Sequence, residues 1–159
     1  MDNPFLCGSD YLNKHWRILR AQLTSDKLDL EHLEIVVKFW SKAPISAPYL
    51  DWDRPDNWAD PWEFVTEMNF DESGIAIGME YSLLLAEDHR WASDRLHLSL
   101  IASSDGSKQL LVLVVDNTYV LNYSYGVIMP FDQASNELVI QQEYVYSNKM
   151  HKIQRINLS

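Results

Sequence analysis

Along the first half of the chain apolar residues recur at the three-to-four residue spacing of helices, and along the second half they alternate or run together as in strands. Tyr11, His15, Ile18, Leu19 and Leu23 fall on one stripe and predict a helix over 10–23. Ser9 or Asp10 can cap it by accepting from the free amides of the first turn, which leaves residues 1–9 as an arm. Thr24, Ser25, Asp26 and Lys27 link it to a second helix. There Leu30, Leu33, Ile35, Val36, Val37, Phe39 and Trp40 cover more than one face, so the helix is expected to be buried on several sides, with Pro44 ending it.

Residues 43–60 show neither period. Pro44, Pro48 and Pro55 alternate there with Tyr49, Trp52 and Trp58, a pattern that predicts a long loop held down by its aromatic side chains. Pro61 behind Asp60 predicts a short helix over 62–68. Asp71 and Ser73 can both cap a central helix over 72–86, in which Ile75, Met79, Leu83 and Leu85 stand beside the small residues Gly74, Ala76, Gly78 and Ser82. The pattern then changes, and strands are predicted over 96–102, 109–115, 118–123, 137–146 and 151–158, separated by Ser, Asp, Asn and Gly. Helices first and an antiparallel meander after predict one α+β domain over 1–159, its N-terminal helices and central helix packed on an antiparallel sheet.

Charge narrows the partners. Thirteen Lys and Arg face 23 Asp and Glu, a net charge of -10. Phosphate backbones need basic side chains, and the basic residues form two loose groups, Lys14, Arg17 and Arg20, and Lys149, Lys152 and Arg155. Direct nucleic-acid binding is therefore not expected. The acids serve solubility, dock on a protein with a basic surface, or imitate DNA. Cys7 is the single cysteine, which excludes an intramolecular disulfide and a cysteine-based zinc site. No apolar run approaches a membrane span and no basic and apolar leader opens the chain, so a cytoplasmic protein without membrane contact is expected. His15, His32, His89, His97 and His151 lack metal-ligand spacing, and the five glycines form no phosphate loop; neither metal nor cofactor is expected.

Trp62, Glu63 and Phe64, followed by Asp71 and Glu72 at the mouth of the central helix, resemble the transglutaminase-like bacterial cysteine peptidases of the papain-like fold. Downstream, Leu110 to Val115 and Tyr119, Val120, Leu121 and Asn122 resemble two strands of that family, so the resemblance covers about residues 60–131. It implies a nucleophile at Glu72 or Ser73, a base at Gln109 or Leu110 and an orienting group at Asn122. A thiolate and an imidazole are what that chemistry needs, and neither stands there. The resemblance thus implies a degenerate, non-catalytic member of the fold.

Two other constellations compete. Cys7 with His97 and Asp116 has the composition of a cysteine hydrolase triad. Asp51, Asp53, Asp56 and Asp60 with the loop's tryptophans could form a sugar subsite, or simply cap turns. The expected function is protein binding or assembly through Tyr49, Trp52, Asp53 and Trp58. Small acidic, cysteine-poor chains of this style resemble tailed-phage proteins, which suggests a virion component or host-directed factor. The alternatives are a hydrolase using Cys7 and an acidic DNA mimic.

Overall fold

The computed structural model describes residues 3–46, 50–68, 70–103, 109–124, 126–136 and 138–156. Helices α1 (Ser9–Gln22) and α2 (Asp29–Trp40) lie where the helical spacing predicts them, and α2 buries His32, Leu33, Val36, Val37 and Trp40. The buried face of α1 is Leu12, Trp16 and Leu19 rather than the expected stripe, since Tyr11 and His15 are half-buried and Ile18 is 42% exposed. The entry to α1 differs from expectation. Ser9 and Asp10 are inside the helix, and Gly8, at φ 91°, turns the chain so that its carbonyl accepts from Leu12 N at 3.0 Å. Glycine tolerates that backbone without a side-chain cap.

The first residues are no loose arm either. Asn3 Oδ1 accepts from Phe5 N at 3.0 Å and starts a short 3-10 turn, Pro4–Leu6. That turn drives Phe5 between Phe39, Trp40 and Phe70, with ring centroids 5.2 to 5.4 Å away. One buried aromatic ring is enough apolar surface to anchor the segment.

Helix α3 (Pro61–Glu67) begins as its sequence predicts. Asp60 accepts from the amides of Trp62 and Glu63 at 3.0 and 2.9 Å. Helix α4 (Gly74–Leu84) has no polar face and is buried from Gly74 to Leu83. The small residues seen in its sequence explain how α1 and α2 reach it. A Cβ on Gly78 would lie 2.5 to 2.8 Å from ring atoms of Trp40, so only glycine admits that indole. One turn on, the Ser82 hydroxyl accepts from both Trp16 Nε1 and Trp40 Nε1 at 2.9 Å and donates to the Gly78 carbonyl at 2.7 Å.

The sheet comprises β1 (Leu96–Ser103), β2 (Gln109–Val115), β3 (Tyr119–Leu121) and β4 (Ile128–Pro130), then, after the five-residue helix α5 (Phe131–Ser135), β5 (Leu138–Ser147) and β6 (Lys152–Ile156). Their order is β4-β3-β2-β1-β5-β6, and every neighbouring pair is antiparallel. Strand β4 and helix α5, three and five residues long, were not expected. Leu96, Leu98 and Leu100 of β1 and Leu111, Leu113 and Val115 of β2 face the helices. Ile101, Leu110, Val112, Val114 and Val120 form a second apolar cluster on the far face. The architecture is α+β, with the helices on one side of an antiparallel sheet, and no helix among the described residues is long and apolar enough to cross a membrane.

The Ser82 joint yields a stability prediction. Ser82→Ala leaves two buried indole N–H groups without an acceptor and is expected to cost about 2–4 kcal/mol. Gly78→Ala pushes a methyl into the Trp40 ring and should cost about 1–3 kcal/mol. Urea unfolding followed by tryptophan fluorescence measures both.

Candidate functional site

Strand β3 is short, and its pairing with β2 stops at Leu113 and Leu121. The edge-facing amide and carbonyl of Leu111 would therefore be buried without partners, a costly state for backbone. The mouth of α4 supplies them. Ser73 Oγ accepts from Leu111 N at 3.1 Å, while Asn122 Nδ2 donates to the Leu111 carbonyl at 3.0 Å and to the Glu72 carbonyl at 2.8 Å. Asp71 Oδ1 accepts from Gly74 N at 2.5 Å and caps the helix. Asn122 sits at φ 75°, a left-handed conformation that asparagine accepts more readily than most residues. Asp71, Ser73 and Asn122 are buried; Glu72 is exposed.

Glu72, Ser73 and Asn122 thus meet at one seam. Leu110 does not join them: its side chain belongs to the far-face cluster, and Gln109 is exposed and donates to Gln141 Oε1 at 2.6 Å. What β2 brings to the seam is the backbone of Leu111. Among the described residues no imidazole is hydrogen-bonded to Ser73 or Asn122. His32, the buried histidine, lies elsewhere: its Nδ1 accepts from Trp91 Nε1 at 2.9 Å, which puts the proton on Nε2, 2.8 Å from the Thr24 carbonyl.

The Cys7, His97 and Asp116 grouping is not assembled into a hydrogen-bonded triad. Cys7 is exposed, its Sγ 3.6 Å from the Asn3 carbonyl. His97 is paired across from Val114 on β1. The Asp116 carboxylate accepts from Arg95 at 2.9 and 2.6 Å, and Arg95 also reaches Asp29 at 2.8 Å. Its guanidinium bonds to Asp116 raise the Arg95 pKa further, and in return Arg95 holds Asp29 below the usual carboxylate range.

The tryptophan loop is a flap over β5. Tyr144 OH donates to the Trp52 carbonyl at 2.7 Å, Trp58 Nε1 donates to the Asp51 carbonyl at 3.0 Å, and the Trp58 ring lies 4.8 Å from Tyr144. Trp52 and Trp58 are half-buried. Asp53 is exposed and pairs with Arg155 at 3.1 Å. Asp51 accepts from Asp53 N at 3.0 Å, and Asp60 caps α3, so these two acids perform turn chemistry. Tyr49 lies outside the described residues.

One feature had a sequence signal that went unused. Glu80 is the one charged residue of α4, and it is fully buried with neither carboxylate oxygen hydrogen-bonded. A lone acid in an otherwise uncharged helix is the mark that could have singled it out. Trp62 is 52% exposed, and the Arg20 guanidinium lies 5.1 Å from its ring and 4.3 Å from that of Trp16. Among the described residues no three His, Cys, Asp or Glu side chains cluster as metal ligands.

No family model matches the sequence, and no curated protein matches it. Solved structures do. The chain is similar to Legionella pneumophila LapG at a TM-score of 0.64 and 21% identity, over 81% of this chain and 70% of that one. The calcium-bound form of LapG gives a TM-score of 0.65 at 20% identity, over 91% and 80%; an EGTA-treated form gives 0.64 at 21%. The fold is the papain-like, transglutaminase-like one.

The buried acid makes stability depend on pH. Burial pushes the Glu80 carboxyl up to about 8 from an ordinary 4.5. Tyr81 and Tyr146, the ionisable neighbours that feel its charge, are themselves raised by burial. Because the folded state holds the proton more tightly, stability falls as pH rises from the unfolded value toward 8 and levels off above it. Glu80→Gln removes that slope. It is expected to gain up to about 3 kcal/mol near pH 7 and almost nothing near pH 4, as read from urea midpoints across that range.

Proposed function

We propose that the chain is a non-catalytic protein-binding or assembly protein, in which the seam corresponding to a nucleophile site in the resembled peptidases has become a structural joint. The carrying observation is the commitment of Ser73 Oγ to the Leu111 amide and of Asn122 to two carbonyls. A serine nucleophile requires a base that accepts its proton within hydrogen-bonding reach, whereas the Leu111 amide donates to Ser73 Oγ and cannot act as one. Asn122, which could orient a histidine, supports the loop before α4 instead.

The surface supports a binding role. Asp53 and Asp56 are exposed on the flap that carries the half-buried Trp52 and Trp58, and Trp62 stands exposed just beyond it. Acids around aromatic rings, in a chain of net charge -10, suit a partner segment rich in Lys and Arg. Calcium, present in one LapG structure, is not carried over. That ion takes six to eight oxygen ligands, usually with several carboxylates, and no such acidic cluster occurs among the described residues.

Chemical labelling tests the non-catalytic part. A fluorophosphonate probe at neutral pH is expected to leave Ser73 unmodified by intact mass, and iodoacetamide should alkylate Cys7 no faster than a free thiol. Stoichiometric labelling that disappears in Ser73→Ala would overturn the reading. The surface part is tested by titrating a Lys- and Arg-rich peptide. Asp53→Lys with Asp56→Lys is expected to weaken a salt-sensitive interaction by about tenfold, and unchanged binding would remove the flap from the proposal.

A further inference from the structure

The far face of the sheet is apolar where sheets with helices on one side usually meet water. Between that face and α5 lies a recess of about 210 Å³. Ile101, Val112 and Val120 are on the sheet side, and Phe131 and Ala134 of α5 stand over them. Among the described residues no charged side chain lines it. The recess is partly open to solvent, and its volume is large enough for a benzene-sized ligand, which closed apolar cavities of roughly 150 Å³ accommodate.

One polar group breaks the apolar lining. Ser99 sits in the middle of β1 with its side chain on the recess side of the sheet, paired across from Val112. The residue is 2% exposed and its side chain stands on the wall of the recess. Its hydroxyl is not one of the fully buried unpaired atoms, which among the described residues are Arg20 Nε and the two Glu80 oxygens, and so keeps access to whatever enters the recess. A hydroxyl on an apolar wall gains from a polar partner within the recess, whereas valine would fill the same place without needing one. A polar atom of a ligand would supply that partner.

We propose that this recess binds a small uncharged molecule, an aromatic ring or a chain of about six to eight carbons carrying one hydroxyl or carbonyl, with that polar atom paired to Ser99 Oγ. An uncharged ligand is preferred because no described residue of the lining would compensate the desolvation of a charge. The proposal concerns the face opposite the α4 seam and stands independently of the binding function assigned above.

Benzyl alcohol and toluene serve as a matched pair of probes, titrated into the full chain with methyl-labelled Ile, Leu and Val. Saturable shifts are expected at the methyls of Ile101, Val112 and Ile140, with benzyl alcohol binding more tightly. Ser99→Ala should weaken benzyl alcohol about fivefold while leaving toluene unchanged or tighter. Ala134→Met, which fills the recess from α5, should abolish both. Val112→Phe fills it from the sheet and replaces Ala134→Met if the indole signals of Trp16 and Trp40 show that variant to be misfolded. Absence of saturable binding up to the solubility limit would overturn the proposal. So would benzyl alcohol binding that survives the filling variant, or a Ser99→Ala effect equal for the two probes.

Discussion

Three of the helices meet at one hydroxyl. Ser82 receives the indole N–H groups of two tryptophans from two different helices and returns its own proton to the carbonyl four residues back. Tryptophan offers large apolar area but brings a donor that must be met wherever it is buried. Meeting two such donors with a single acceptor fixes how α1 and α2 approach α4, and Gly78 opens the space that lets Trp40 come close enough. A helix without a polar face can be covered in many ways; this joint selects one of them.

The seam between α4 and β2 solves a related problem. A three-residue β3 leaves part of the edge of β2 uncovered, and the backbone there has to be satisfied by something other than a strand. Ser73 and Asn122 do this from opposite sides of the Leu111 peptide. In a papain-like architecture the same region brings a helix mouth beside two strands, good ground for a nucleophile. Here the polar groups at that meeting point are turned inward to hold the backbone, and the flap and α3 are where acidic and aromatic groups reach solvent.

How much of this was legible depends on whether a segment carries a phase. Helices α1 and α2 were readable because polar positions interrupt their apolar ones at a helical spacing. The cap of α1 was not, since Ser9 and Asp10 look like caps and only the backbone reveals that Gly8 makes the turn. Strand β2 was recognised as a strand, yet Leu110 and Leu111 could not be assigned to faces. A run of Leu, Leu, Val, Leu, Val, Val has no alternation, and both of its faces are covered, one by the helices and one by the second cluster. The sequence therefore placed the seam near Glu72, Ser73 and Asn122 but could not say which residue of β2 enters it. Strand β4 and helix α5 are too short for any period to build up, so the recess roofed by α5 had no sequence signal at all.

That doubly covered strand also carries a risk during folding. Six consecutive aliphatic residues without a charge, proline or glycine make β2 the kind of segment that pairs with copies of itself when exposed. Its protection in the native state comes from elements distant in sequence, α4 on one face and α5 on the other, so it stays unshielded until both have docked. Asp116, fixed by Arg95 at one end of the run, is the nearest charge and acts as a gatekeeper against stacking of that strand with another chain. One of the two central strands of the sheet is thus also the one whose safety depends on the order in which the rest assembles.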